Sequence, residues 1–151
     1  MTTHKAKTLV GSLEICSLPD FNIDKLHIRV DTGAATSSLH VDNIEEFTHN
    51  NEDWVRFDIH PDYHDVSKVV RKEAKISKTK SIKSSNGKNE KRHFIETTLV
   101  LAGESWPILI TLTNRSSMSY LMLLGRQAMK GKLIVDAEFE YILGESNPIQ
   151  S

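Results

Sequence analysis

Cysteine is almost absent from this sequence, since Cys16 is the single copy in 151 residues. One cysteine cannot close an internal disulfide, so the sequence excludes a disulfide-stapled secreted scaffold and favours a reducing compartment. Cys16 lies in an apolar, strand-like stretch, where we expect a buried packing role rather than a reactive thiol.

Long apolar runs are absent as well. No stretch approaches the ~18 apolar residues that a membrane-spanning helix needs. The first residues, "MTTHKAKTLVGSLEIC", lack the apolar core of a signal peptide. We therefore expect a cytoplasmic protein with no membrane partner. At 151 residues the chain has the length of a single domain, 1–151, with room for a genuine core.

A large net charge is the third absence. The formal net charge is −1, which gives no overall attraction to a membrane surface or to nucleic acid, and we expect no nucleic-acid partner. The charge is nevertheless uneven. Residues 68–92 contain ten lysines and arginines against two acids, and the rest of the chain contains nine basic and eighteen acidic residues. The sequence thus predicts a basic segment on an acidic body.

Helical patterns are scarce, and alternation with a period of two dominates, which is typical of strands. We predict strands in "KTLVGSLEICSL" (7–18), "KLHIRVD" (25–31), "DWVRFDIH" (53–60), "KLIVDAEF" (132–139) and "EYILG" (140–144), and a loop in "HPDYHDVS" (60–67). Short helices are predicted in "VDNIEEF" (41–47) and in "GRQAMKG" (125–131), with Gly131 as the C-terminal stop. Together these elements predict an all-β, barrel-like domain with one or two short helices.

The strongest turn signal is Asn86-Gly87, which lies between two extended, alternating runs and predicts a β-hairpin. Cations surround the predicted hairpin tip, namely Lys78, Lys80, Lys83, Lys88, Lys91 and Arg92. A second turn is predicted at Ala102-Gly103-Glu104.

Two motifs suggest chemistry. Asp31-Thr32-Gly33-Ala34 follows a β-branched strand directly, and Leu123-Leu124-Gly125-Arg126 comes about ninety residues later. The pair resembles the active-site loop and the supporting strand of single-domain, retropepsin-like aspartic proteases. With "WVRFDIHP", "SSNGKNEKR", "LTNR" and "MLLGRQAMKG", it is similar to a retropepsin-like family of bacteria and archaea whose members are labelled ATP-dependent zinc proteases. The similarity runs in order over residues 9–144, the expected core of the domain.

The resemblance implies an acid-protease barrel in which Asp31 is the catalytic carboxylate. The implied supporting residues are Thr32, Gly33 and Ala34 in the active-site loop, and Leu124, Gly125 and Arg126 in the strand and helix beneath it. The resemblance also implies a flap, a lid that closes over bound peptide. Its implied residues are Lys83, Ser85, Asn86, Gly87, Lys88 and Arg92.

An aspartic protease activates water between two carboxylates held too close together for both to ionise. One accepts a proton from the water while the other, protonated, donates a hydrogen bond to the substrate carbonyl. The sequence contains one Asp-Thr-Gly and no second copy. A dyad therefore needs a second subunit, and a two-fold homodimer would place Asp31 beside its own copy. The two carboxylates would then titrate as a coupled pair.

Simpler interpretations stay open at three places. Asp-x-Gly is common turn chemistry, so Asp31 is alternatively a turn or cap aspartate. Ser37 and Ser38 have no evident paired base, and we expect loop or helix-capping hydroxyls rather than nucleophiles. The hairpin cations would attract an acidic peptide, but lysines also keep a solvated hairpin from pairing with another edge.

The metal and nucleotide in the family label find little support in the residues. A helical His-Glu-x-x-His site and a glycine-rich phosphate loop are both absent. His60 and His64 are four residues apart, but Pro61 argues against a helix there. We expect no metal and no cofactor. Two departures from viral retropepsins stand out: Ala35 replaces the acid that pairs with the arginine of the Gly-Arg step, and residues 48–67 form an elaboration of unknown role.

The sequence thus predicts a homodimeric aspartic peptidase that hydrolyses a peptide or protein substrate. Members of the family it resembles are often associated with an ATP-grasp ligase that adds glutamates to a ribosomal protein, which implies a poly-glutamate-modified substrate. The alternative is a non-catalytic, dimeric binding module of the same fold for an acidic protein partner.

Overall fold

Alternation of apolar and polar residues forms strands along most of the chain. The computed structural model describes residues 6–60, 68–83, 87–114 and 120–144. Within these ranges the strands are β1 Thr8–Val10, β2 Leu13–Leu18, β3 Ile23–Val30, β4 Ser37–His40, β5 Asp42–His49, β6 Glu52–Ile59, β7 Val70–Lys75, β8 Lys78–Lys83, β9 Asn89–Leu101, β10 Glu104–Thr113, β11 Met122–Leu124 and β12 Leu133–Val135. A 3-10 turn, Pro19–Phe21, follows β2, and the helix α1, Arg126–Met129, follows β11.

Six strands close into a barrel in the order β10-β4-β11-β3-β2-β9, and β9 pairs back onto β10. The short strand β11 is inserted between β3, to which it is parallel, and β4, to which it is antiparallel. Alternate residues fill the interior, as shown by the buried Leu26, Ile28 and Val30 of β3. The all-β, barrel-like domain that the sequence predicts is therefore confirmed.

Two smaller sheets flank the barrel. Strands β5, β6 and β7 form an antiparallel sheet, and Val55, Phe57 and Ile59 of β6 are fully buried, as their alternation predicts. The Phe57 ring lies edge-on to Phe21, with centroids 5.7 Å apart, so this sheet packs against the 3-10 turn that follows β2. Strands β1 and β12 form a separate parallel pair.

The predicted hairpin is present, formed by β8 and the first half of β9. Lys83 pairs with Asn89 next to the tip, and Gly87 has a positive φ of 84°. The tip residues Ser85 and Asn86 lie outside the described residues. The second half of β9 pairs with β10 across a tight turn, in which Ala102 and Gly103 both have positive φ. This is the second turn that the sequence predicts.

The prediction of a single strand over residues 7–18 is wrong, because the strand is interrupted at Gly11 and forms β1 and β2. The Gly11 backbone packs against the Phe139–Glu140 backbone so closely that a Cβ would collide with the Phe139 carbonyl. Val10 then pairs with β12, whereas Leu13 pairs with Arg29 of β3. A contact distant in sequence therefore divides a locally continuous strand pattern.

The helix predicted over residues 41–47 is wrong as well, since this segment belongs to the strand β5. Its apolar residues are three apart, at Val41, Ile44 and Phe47, which resembles a helical face. The register of β5 against β6 shifts between Asp42 and Glu45, and Asn43 has a positive φ of 52°. The shift is a β-bulge, in which β5 has one residue more than β6 opposite it. The bulge explains why apolar residues three apart occur in a strand.

Strand predictions near the C-terminal end are partly wrong, and the helix prediction is right. Helix α1 lies within 125–131, and Gly131 follows it with a positive φ. Of residues 132–139, only Leu133–Val135 is a strand, and 140–144 is not a strand. The buried carboxylate of Glu14 instead accepts hydrogen bonds from the backbone N–H groups of Gly11, Ile142 and Leu143, at 2.8, 3.0 and 3.3 Å.

The predicted loop at 60–67 falls, apart from His60, outside the described residues, as does His64. No helix in the described part of the chain has the length and apolar character of a membrane span.

Candidate active site

The pairing of β3 with β11 fixes the position of Asp31. Val30, the last residue of β3, lies opposite Leu124 of β11. The Asp31 N–H then donates a hydrogen bond of 2.8 Å to the Leu124 carbonyl, so the ladder extends one residue beyond the strand. Asp31 therefore leaves the barrel at a rigid point rather than in a free loop.

The turn after Asp31 orients its carboxylate. The Gly33 N–H donates to Asp31 Oδ1 at 2.9 Å, and the Ala34 N–H donates to the Asp31 carbonyl at 3.2 Å. A Cβ at position 33 would lie 3.2 Å from Oδ1, so glycine suits the close approach. Asp31 is half-buried and Thr32 and Gly33 are exposed. Among the described residues nothing donates a hydrogen bond to Oδ2, which leaves that oxygen open for chemistry.

Gly125, the residue after β11, packs closely against the backbone at the end of the Asp31 loop. A Cβ there would lie 2.6 Å from the Thr36 carbonyl carbon, 2.8 Å from its oxygen and 2.9 Å from the Ser37 nitrogen. The Gly125 N–H donates to the buried Ser37 hydroxyl at 2.9 Å. Ser37 is the first residue of β4, so the loop position expected for it is wrong, and its hydroxyl accepts the N–H of the residue that precedes α1.

Helix α1 is attached to the loop by its first N–H groups, which have no partner inside a helix. The Arg126 N–H donates to the Ala34 carbonyl at 2.8 Å, and the Gln127 N–H donates to the Ala35 carbonyl at 3.0 Å. Arg126 Nη1 donates to the Thr32 carbonyl at 2.9 Å. Position 35 is an alanine and offers no acid to pair with Arg126. Arg126 instead holds the loop by donating to the Thr32 backbone carbonyl.

The loop residues predicted from the two motifs are thus brought together, whereas the predicted flap residues form a separate group on β8 and β9. Lys83, Gly87 and Lys88 are exposed near the hairpin tip. Arg92 is half-buried and its guanidinium lies 3.6 Å from the Glu90 carboxylate. The ammonium groups of Lys78 and Lys80 lie 5.0 and 5.6 Å from the centre of the Phe94 ring.

The sequence that forms this loop and barrel matches a known protein family. The family model described as RimB-like, retropepsin-like aspartic endopeptidase RimB, matches residues 9–146. The chain belongs to the RimB-like family. The resemblance drawn from the two motifs is confirmed, over nearly the same residues.

Curated relatives of this RimB-like chain bear a different name, "Probable alpha-L-glutamate ligase". The relative from Parasynechococcus marenigrum (strain WH8102) is 46% identical over 139 residues, which are 92% of this chain and 30% of the relative. The relative from Shewanella pealeana is 42% identical over 144 residues, which are 95% of this chain and 31% of the relative. The chain thus spans under one third of the length of these relatives.

A solved structure shares the RimB-like fold. The crystal structure of a Legionella pneumophila protein of unknown function (DUF785) matches with a TM-score of 0.76 and 26% identity, over 91% of this chain and 98% of that one. The barrel with its inserted strand is therefore a fold already seen in a related protein.

A pocket of about 360 Å³ lies between the hairpin and the three-stranded sheet of this RimB-like chain. It is lined by Glu46, Phe47, Thr48, Asp53, Ile76, Thr79, Lys91 and His93. The buried His93 ring lies 2.6 Å from the Glu46 carboxylate through Nε2 and 2.9 Å from the Thr79 hydroxyl through Nδ1. His93 therefore links the base of the hairpin to β5.

The part of the elaboration that is described, residues 48–60, supplies the end of β5 and all of β6. On β6, Asp58 receives a hydrogen bond from Asn43 and a charged one from Arg71, and these lower the pKa of its carboxyl. His60 Nε2 lies 2.7 Å from Asp42 Oδ2. Within the described ranges, no group of three or more histidine, cysteine, aspartate or glutamate side chains is arranged to hold a metal ion.

Arg29 lies near the loop and is not among the residues that the two motifs predict. Arg29 precedes Asp31 by two positions and is exposed on β3. The signal that would have found it is the strand period, because alternate residues of a strand point to the same side.

Proposed function

We propose that this chain is an aspartic peptidase whose active site forms when Asp31 meets the Asp31 of a second copy at a two-fold axis. The observation that carries the proposal is the geometry of the loop. One carboxylate oxygen of Asp31 accepts the Gly33 N–H, and the other is open at a half-exposed position. Membership of the RimB-like family and the single Asp-Thr-Gly support the paired arrangement.

The chemistry follows from two carboxylates that share one proton. The ionised carboxylate accepts a proton from water as the water oxygen bonds to the carbonyl carbon of the substrate. The protonated carboxylate donates a hydrogen bond to the carbonyl oxygen and stabilises the charge that develops there. The carbon–nitrogen bond then breaks, and the leaving nitrogen takes up a proton from the dyad. The products are one carboxyl and one amino terminus.

The proposed substrate is a peptide or protein with a glutamate-rich tail. Support comes from the cations of the β8–β9 hairpin, which we propose acts as the flap over the bound peptide. A surface of one charge attracts chains of the opposite charge and repels those of its own. Relatives that contain a similar segment within a longer chain are named as probable alpha-L-glutamate ligases, which is consistent with this substrate. A cytoplasmic location stays a prediction.

A second candidate is a dimeric binding module for an acidic protein partner. The observation that favours it is the length of the curated relatives. They contain this segment as about 30% of a longer chain named as a ligase. Within such a longer protein, a binding module would hold a glutamate-bearing chain without cleaving it.

The deciding experiment compares the wild-type chain with Asp31→Asn on a synthetic peptide ending in α-linked glutamates, with products identified by mass spectrometry. We expect cleavage by the wild type and a rate about 10²–10⁴-fold lower for Asp31→Asn, because the dyad loses its acid–base function. Asp24→Asn is the matched control, since Asp24 is an exposed aspartate on the same strand.

Sedimentation of both proteins tests the dimer at the assay concentration. Cleavage at full rate by Asp31→Asn, or by a protein that sediments as a monomer, would contradict the peptidase. Tight binding of the peptide with no cleavage by either protein would favour the binding module.

A further inference from the structure

The exposed face of β3 brings a cation next to the proposed catalytic carboxylate. The strand buries Leu26, Ile28 and Val30 and exposes the residues between them. Since the ladder extends through the Asp31 N–H, the alternation extends to Asp31 as well. Arg29 and Asp31 therefore lie on the same side of the strand, with Cα atoms roughly 7 Å apart.

Arg29 has no acidic partner of its own among the described residues. Its guanidinium lies 5.9 Å from the centre of the Tyr120 ring, a cation–π contact that positions the group without neutralising it. The exposed Arg126 bonds to the Thr32 carbonyl, and two further arginines bond to acids. Arg56 contacts the carboxylates of Glu45 and Glu73, and Arg71 contacts Asp58.

The surroundings of Arg29 have the form of a binding subsite. Its register partner on β11 is Leu123, which is half-buried between the buried Met122 and Leu124. Paired residues on adjacent strands point to the same face of a sheet. An apolar side chain, an aromatic ring and an unpaired guanidinium thus lie together beside Asp31. Such a surface suits a side chain with an aliphatic stem and a carboxylate end, and a guanidinium can bind a carboxylate with two parallel hydrogen bonds.

We infer that Arg29 is a specificity-determining residue that binds the side-chain carboxylate of a substrate residue at the scissile bond. This inference rests on the proposed peptidase function. A two-fold axis through the paired Asp31 residues duplicates every subsite. The dimer therefore presents one Arg29 on each side of the scissile bond and selects bonds that have glutamate on both sides.

The test uses two synthetic peptides that contain one Glu-Glu or one Gln-Gln pair between neutral residues. For the wild type, kcat/KM is expected to be about 100-fold higher for the Glu-Glu peptide, because each of the two Arg29 subsites makes one charge-assisted bond that contributes about tenfold. In Arg29→Gln this preference falls to about one, through loss on the Glu-Glu peptide alone. Arg29→Lys retains part of it, because the charge stays but the paired hydrogen bonds do not.

Lys25→Gln is the matched control. Lys25 is exposed on the same side of β3 but roughly 20 Å from Asp31, and its replacement removes the same charge. An equal loss of preference in Lys25→Gln would show that any positive charge on β3 attracts the acidic peptide, and would overturn the role of Arg29. An equal loss on both peptides in Arg29→Gln would show a structural role and also overturn it, as would unchanged preference.

A binding measurement separates this inference from the peptidase proposal. In an Asp31→Asn background, fluorescence anisotropy gives the dissociation constant of a labelled peptide of α-linked glutamates. Arg29→Gln is expected to weaken binding about tenfold or more, and Lys25→Gln much less. If the wild type cleaves no peptide, the peptidase proposal fails, and this measurement alone decides whether Arg29 binds glutamate. Equal binding by all variants would refute the inference.

Discussion

Gly125→Ala is the substitution for which the structure predicts the clearest loss. The added Cβ would lie 2.6 Å from the Thr36 carbonyl carbon and 2.9 Å from the Ser37 nitrogen, both of them backbone atoms. Ordinary contacts begin near 3.4 Å, so β11 and the loop must separate by about 0.8 Å. Gly125 itself has φ −94° and ψ 173°, which any residue can adopt. The penalty is therefore steric and not conformational.

The magnitude follows from what that separation disrupts. Overpacking of a close contact costs about 1–3 kcal/mol. The Gly125 bond to Ser37 and the Arg126 bond to Ala34 lengthen together, and each contributes about 1 kcal/mol. We expect the free energy of unfolding to fall by about 3–5 kcal/mol. At roughly 2–4 °C per kcal/mol, the melting temperature falls by about 10 °C. Because Asp31 bonds to Leu124, the neighbour of Gly125, we also expect its position to be disturbed and any cleavage rate to fall about 10²-fold.

Gly103→Ala is the matched control, measured by thermal denaturation followed by circular dichroism. Gly103 has φ +75° with nothing near its Cβ position, so alanine there meets a conformational penalty of about 1–2 kcal/mol and no clash. The two variants thus separate steric from backbone costs. A melting temperature for Gly125→Ala equal to or above that of Gly103→Ala would refute the close packing of β11 against the loop.

Two further predictions concern buried polar groups. Glu14→Gln is expected to lower the free energy of unfolding by about 3 kcal/mol, because a neutral amide replaces the carboxylate that accepts three backbone N–H groups; chemical denaturation measures this, and a change under 1 kcal/mol would contradict it. Burial raises the pKa of the Cys16 thiol to about 12, so the folded protein is expected to resist a thiol reagent at pH 8 and to react once denatured; rapid labelling of the folded protein would contradict it.

The parts of the fold that the sequence predicts are those whose cause is local. Strands β3 and β6 bury alternate residues, and the period of two is visible without knowledge of their neighbours. The Asp31 loop was predictable for the same reason, since Gly33 and Asp31 are two residues apart and bond to each other. Gly125 required a second motif, which a family resemblance supplied.

The secondary-structure predictions that are wrong depend on contacts with residues far away in the sequence. Residues 140–144 have the composition of a strand, but two of their N–H groups bond to Glu14, about 128 positions earlier. The break at Gly11 depends in the same way on Phe139. The bulge in β5 follows from its register with β6. No local pattern contains these partners, and the hairpin tip at Ser85 and Asn86 stays a prediction.

The pairing of β1 with β12 has a consequence for synthesis on the ribosome. Thr8 pairs with Leu133, so an early strand has no partner until the chain has grown past residue 135. At translation rates of about 5–20 residues per second, this delay is on the order of ten seconds. Until then, Thr8–Val10 lack the backbone partners that β12 provides in the folded protein. The β1–β12 pair is therefore among the last contacts that the growing chain can form.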